Sequence, residues 1–207
     1  MSQRACARWR RGAAAAAALW WAGAALAQGQ VFPDDPKSLF TPQGVANIFQ
    51  QACLRGGARG EAAVDWALTQ GFEPLDSLGG TGYELLEGQP GNVLRAPGSE
   101  DRVLLVVTHD QRCTLWAQRV SGPQLRLAMA EVMDRLGNGG ARVTRDFERN
   151  LERAGAWRNQ TQWRYRPVRA NAEFGVSAVT TLGTAPATQA LNMAPWQAPA
   201  PDPMTGR

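Results

Sequence analysis

The chain reads RVLLVVT at residues 102–108 and RCTLWAQRV at 112–120, with His109, Asp110 and Gln111 between them. Val103–Val107 are five successive apolar residues, rich in β-branched side chains, as in a strand covered on both faces. The second segment is its antiparallel partner, and the spacing places His109 in the connecting turn. An antiparallel sheet with one apolar face needs a cover, so the flanking sequence is expected to supply helices.

On the N-terminal side, Thr41-Pro42 makes a helix start, with Thr as N-cap and Pro in the first turn. Val45, Ile48, Phe49, Ala52 and Cys53 follow at helical spacing, and Gly56-Gly57 ends the run. Glu61–Gln70 reads as a second helix with Val64, Ala67 and Leu68 on its apolar side. Residues 72–82 read as irregular. Tyr83–Glu87 and Asn92–Arg95 read as short strands around a Gly88-Gln89-Pro90-Gly91 turn. On the C-terminal side, Ser121–Leu136 reads as a helix capped by Ser121, with Leu125, Ala128, Met129, Val132, Met133 and Leu136 as its stripe. Val143, Phe147 and Leu151 fit a helix or one face of a strand; the strand is preferred for 141–148 because a strand pattern follows. Trp157, Thr161, Trp163 and Tyr165 alternate with Arg158, Gln160, Gln162, Arg164 and Arg166, and Glu173–Leu182 adds a third strand to this meander. Residues 28–40 read as an extended lead-in. Residues 183–207, with five prolines and few large apolar groups, read as a disordered tail. The expected architecture is a single α+β domain over 41–182, a mostly antiparallel sheet with helices packed on one face.

The N-terminus carries its own message. Arg4, Arg8, Arg10 and Arg11 precede residues 13–26, which are Ala, Leu, Trp and Gly only, and Ala25-Leu26-Ala27 closes the run. This is the pattern of a signal peptide over 1–27, cleaved after Ala27. As a helix the apolar run would cover about 21 Å, short of a membrane's hydrocarbon core. The expected location is the periplasm, with no transmembrane segment left after cleavage. Removal of those four arginines leaves 18 basic and 18 acidic residues, so the formal charge of +4 belongs to the leader and argues for no nucleic-acid partner. The neutrality hides a polarity, since residues 28–101 carry a net −6 and residues 141–170 a net +5. The simplest expectation is that these halves pack together and neutralise each other.

Cys53 and Cys113 are the two cysteines of the cleaved chain, and an even pair in an exported protein reads as a disulfide. The sharper alternative, Cys113 as a nucleophile served by His109, needs a thiol that stays reduced. The Gly-rich pieces at 56–60, 79–82 and 137–140 lack the Lys-Ser/Thr of a phosphate loop, and no G-x-S-x-G elbow occurs. Asp34-Asp35 and Glu100-Asp101 do not form a glycosidase pair, and no metal-ligand cluster or cofactor motif is present. Arg158, Arg164, Arg166 and Arg169 form a candidate anionic-ligand surface. In a strand, however, the alternating Trp and Tyr face away from these arginines, so the two sets cannot grip one ligand.

A leader, a capped helix ending in Cys53, a strand pair carrying Cys113-Thr-Leu-Trp116, a helix, and a meander ending in Trp163-Arg-Tyr165 together resemble small exported proteobacterial proteins of unknown function. The resemblance covers about residues 40–182 and implies location and layout, with no catalytic residue to carry over. The leading expectation is a non-enzymatic periplasmic binding or interaction protein with an unknown protein or small-molecule partner. Its rivals are a small hydrolase-like enzyme assembled around His109, with Asp110 or an Arg clamp, and an envelope-assembly component docking through the tail.

Overall fold

A computed structural model describes residues 40–56, 59–153 and 155–197; the leader, most of the lead-in and residues 198–207 lie outside them. The described residues fall within one compact unit. The described elements, in order, are α1 (Pro42–Phe49), a π-helical turn (Gln50–Leu54), α2 (Gly60–Thr69), β1 (Glu73–Pro74), α3 (Gly80–Leu86), β2 (Gly91–Arg95), β3 (Val103–Thr108), β4 (Cys113–Val120), α4 (Gly122–Asn138), β5 (Arg142–Arg153), β6 (Ala156–Arg166), β7 (Phe174–Thr181) and β8 (Ala187–Pro195). The fold is α+β. All eight strands join one antiparallel sheet in the order β1-β2-β3-β4-β8-β7-β6-β5.

β3 and β4 pair as their sequences require, Leu105 facing Leu115 and Val107 facing Cys113. Thr41 Oγ1 accepts from the Gly44 N–H at 3.0 Å and caps α1, whose Val45, Ala46, Ile48 and Phe49 are buried. α4 buries its apolar stripe of Leu125, Ala128, Met129, Val132 and Met133. These helices and α2 form the main core with the alternate strand positions Leu94, Leu105, Leu115, Trp163, Val176, Ala178, Leu191 and Met193. We call this the inner face of the sheet.

Three expectations need correction. First, Tyr83–Glu87 is no strand: its residues belong to α3 and the turn that ends it at Glu87 (φ 50°) and Gly88 (φ 76°). Tyr-Glu-Leu-Leu has no β-branched residue to oppose a helix, and Gly88 suits the left-handed exit. Second, not all helices share a face. Leu86 of α3 packs with Val93 and Val106, which pair with each other one residue out of step with Leu94 and Leu105. α3 therefore covers the outer face of β2 and β3. Third, the tail contains β8, which lies between β4 and β7. Pro186 and Pro195 bracket a proline-free run in which Gln189, Leu191 and Met193 alternate inward and are buried.

Gln189 hid that strand, because a buried glutamine breaks the apolar period. Its Nε2 donates to Val120 O at 2.8 Å and to Thr181 Oγ1 at 3.1 Å, and its Oε1 accepts from Thr181 N at 2.8 Å. A buried amide so satisfied carries little penalty. Next to it, the expected Ser121 cap of α4 does not form; Ser121 Oγ and the fully buried Thr180 Oγ1 lack a hydrogen-bond partner. An orphan buried hydroxyl costs about 1–3 kcal/mol. Thr180→Val, which keeps shape and strand preference, is therefore expected to raise stability by about 1 kcal/mol. The check is a higher urea midpoint at unchanged slope; a lower midpoint would show that the hydroxyl has a partner.

Residues 141–152 are indeed strand, and the expected three-strand meander is part of a four-strand one, β5-β6-β7-β8. Cys53 and Cys113 form a disulfide across a separation of 60 residues, pinning the π-helical turn to β4. Both cysteines are buried, so the sulfurs are structural and Cys113 is no nucleophile in this state.

Candidate functional site

Strand register decides which side chains meet on the outer face. One rung across the sheet runs Thr114 (β4), Asn192 (β8), Ser177 (β7), Gln162 (β6), Phe147 (β5). The next runs Trp116, Ala190, Val179, Gln160, Arg149, and on the other side lies Ala194, Gly175, Arg164, Thr144. None of these side chains is fully buried. Among the described residues, the helix on this face is α3, over β2 and β3, and the floor from β8 to β5 has no helix across it.

The arginines sort onto the same face. Arg142 and Arg149 of β5 pair with Arg166 and Gln160 of β6, so Arg142, Arg149, Arg158, Arg164 and Arg166 occupy outward positions. Of the four arginines singled out by the sequence, Arg158, Arg164 and Arg166 share this face, Arg158 near the start of β6 and the other two at its end, whereas exposed Arg169 stands in the turn beyond β6 at φ 62°. Four of these five strand arginines are held. Arg164 stacks on the Trp196 ring at 4.4 Å and lies 3.9 Å from Asp146. Arg149 lies over Phe147 at 4.9 Å and donates to Gln160 Oε1 at 3.1 Å. Arg158 donates to Thr188 O at 3.0 Å, and Arg166 meets Glu173 at 2.7 Å.

Alternation was read correctly for β6, where Trp163 and Tyr165 are buried and the arginines are out; Trp157, 59% exposed, is the exception. Burial pushes the Tyr165 phenol above its ordinary pKa, and its hydroxyl donates to Leu54 O at 3.4 Å. The Trp163 and Tyr165 side chains therefore face away from the β6 arginines as expected, and other aromatics supply the outer face. Phe147 arrives through a bulge between Arg145 and Phe147 that shifts the register of β5, and Trp196 follows the strand that the sequence hid. A Cβ on Gly175 would sit 3.4 Å from Trp196 Cε3, so the bare glycine lets the indole come close to the sheet. No sequence pattern links Trp196 to Arg164; the pairing β6-β7-β8 does.

The charge polarity is spatial. The acidic segment supplies α2, β1, α3 and β2 at one end of the strand order, and the basic segment supplies β5 and β6 at the other. The described ion pairs are Arg95 with Glu73 and Asp101, Arg102 with Glu100, Arg112 with Asp110, Arg126 and Arg145 with Glu148, Arg164 with Asp146 and Arg166 with Glu173. Among the described residues none joins the two segments; Asp34, Asp35 and Lys37 of the acidic segment lie outside them. The hydrogen bonds that Arg95 donates to Glu73, then to Asp101, raise its pKa above the already high ordinary value, and the one to Glu73 fastens β1 to β2.

His109 stands in the expected turn, exposed, at the rim of an open cleft of about 460 Å³ lined also by Arg59, Glu61, Asp65, Asn92 and Gln111. Its backbone N–H donates to Pro90 O at 3.0 Å. The Asp110 carboxylate is engaged by Arg112 at 2.8 Å and by the Thr108 hydroxyl, so Asp110 does not orient the imidazole. Among the described residues no three His, Cys, Asp or Glu side chains converge as a metal site, and no helix is long and apolar enough to cross a membrane. No known protein family, curated protein or solved structure matches the chain.

Proposed function

We propose that this is a non-enzymatic binding protein of the periplasm that holds an anionic partner on the outer face of its sheet. The observation that supports this most directly is that Arg149, Arg158, Arg164 and Arg166 lie on the same uncovered face as Phe147, together with the Arg164–Trp196 stack. Guanidinium groups held by stacking or side contacts lose little freedom on meeting a carboxylate, and each exposed cation–π contact stabilises its geometry by about 0.5–1 kcal/mol. The leader pattern and the disulfide support an oxidising compartment. Residues 187–195 are an interior strand and are not free to dock a partner; residues 198–207 lie outside the described residues.

The test compares two charge-matched variants. Arg158→Gln/Arg164→Gln/Arg166→Gln is expected to weaken binding to carboxylated polymers by about tenfold or more, as loss of three partly screened charge contacts implies. Arg55→Gln/Arg119→Gln/Arg135→Gln, on other elements, should bind as the parent does. Affinity of the parent should fall steeply with salt. Equal weakening in both variants would show that net charge alone, and not this face, holds the partner.

A further inference from the structure

Charge explains attraction to an anion but not the rest of the outer face. Between the arginines of β5–β6 and Trp116 of β4, the floor is made of small residues, among them Gly175, Ser177, Ala190 and Ala194. Set among them are the amides of Gln160, Gln162 and Asn192 and the hydroxyl of Thr114, which donates to Asn192 Oδ1 at 3.1 Å. An amide offers donors and an acceptor together. An acidic peptide also carries backbone N–H donors and C=O acceptors, but it has no ring that joins an apolar C–H face to its carboxylate. Hydroxyl groups both donate and accept, and they are what a row of amides and hydroxyls on a flat floor suits. The partly exposed indole of Trp196, with the Arg164 guanidinium stacked on it, places an apolar ring beside a positive charge. An acidic sugar has the same juxtaposition, with an apolar C–H face and a carboxylate on one ring.

We infer that the anionic partner is a carbohydrate chain bearing carboxylates, lying across β8, β7 and β6 with its acids toward Arg149 and Arg164 and its hydroxyls on Gln160, Gln162 and Asn192. This deepens the basic-face reading above and rests on it. The sheet floor needs no rearrangement to receive such a chain, because its side chains are small and the strands on either side fix its register.

Calorimetric titration of the oxidised protein with polygalacturonate, polyglutamate and dextran tests it. Polygalacturonate is expected to bind at least about tenfold more tightly per site than polyglutamate of similar length, and dextran not to bind, since charge and hydroxyls are both required. In Gln160→Ala/Gln162→Ala, two partly exposed positions, affinity for polygalacturonate should fall about fivefold or more while affinity for polyglutamate holds; thermal unfolding of the variant verifies the fold. Equal binding of polygalacturonate and polyglutamate by the parent would overturn the carbohydrate inference and leave the basic face standing. Binding of neither would remove both. Dextran binding as well as polygalacturonate does would overturn the requirement for charge.

Discussion

A chain ending at Gly183 is expected not to fold, whereas one ending at Gln197 keeps the full cooperative unfolding transition. The shorter chain lacks β8, and with it the partner that both β4 and β7 pair with. Leu191 and Met193 are fully buried, and removing such side chains costs about 2–5 kcal/mol each. Loss of Gln189 strips Val120 O and Thr181 N of their side-chain partner, and each buried group so orphaned costs about 1–3 kcal/mol. Two strand edges would also be bared in mid-sheet, an invitation to aggregate. These losses together rival the whole stability of an ordinary domain, about 5–15 kcal/mol. Near-ultraviolet circular dichroism and urea unfolding of the two truncations decide the matter. A cooperative transition in the chain ending at Gly183 would show that the sheet closes without β8.

The second large effect is expected from Cys53→Ala/Cys113→Ala. The bridge closes a loop whose ends are 60 residues apart, and on the chain-entropy account its removal costs about 4 kcal/mol. For a chain of this size that lowers Tm by about 8–16 °C. It ties the end of the first helical segment to β4, and both sulfurs are buried in the main core, so reductant should act slowly on the native protein and quickly once it unfolds. Scanning calorimetry of the double variant, and of the parent with and without dithiothreitol in urea, measures this. An unchanged Tm in the double variant would mean that helix packing alone holds the segment.

Legibility followed the balance between local and distant interactions. β3 is legible because Val103–Val107 are apolar without interruption, and α1 and α4 because a proline in the first turn and a 3.6-residue stripe agree, with a Thr41 cap on α1. α3 was misread because Tyr83–Glu87 is too short for either period to decide, and its cover of Val93 and Val106 is a tertiary contact. β8 is hard to read because composition taken across 183–207 averages a nine-residue strand with the prolines around it, and because the buried Gln189 breaks its apolar period. The candidate site was half legible. Alternation alone puts the β6 arginines outward, but Phe147 reaches that face through a bulge and Trp196 through β8, two strands away from β6 in the sheet.

From the sequence alone came the antiparallel core strands, the capped helices, the cysteine pair and the segregation of acidic from basic residues, because each is written in local spacing or in simple counts. Only the tertiary structure decided that β8 threads between β4 and β7, that the two charged segments stay at opposite ends of the sheet, and that Arg164 meets Trp196. Those outcomes depend on which strands pair, and pairing is fixed by burial summed over residues far apart in the chain, where no local period reaches.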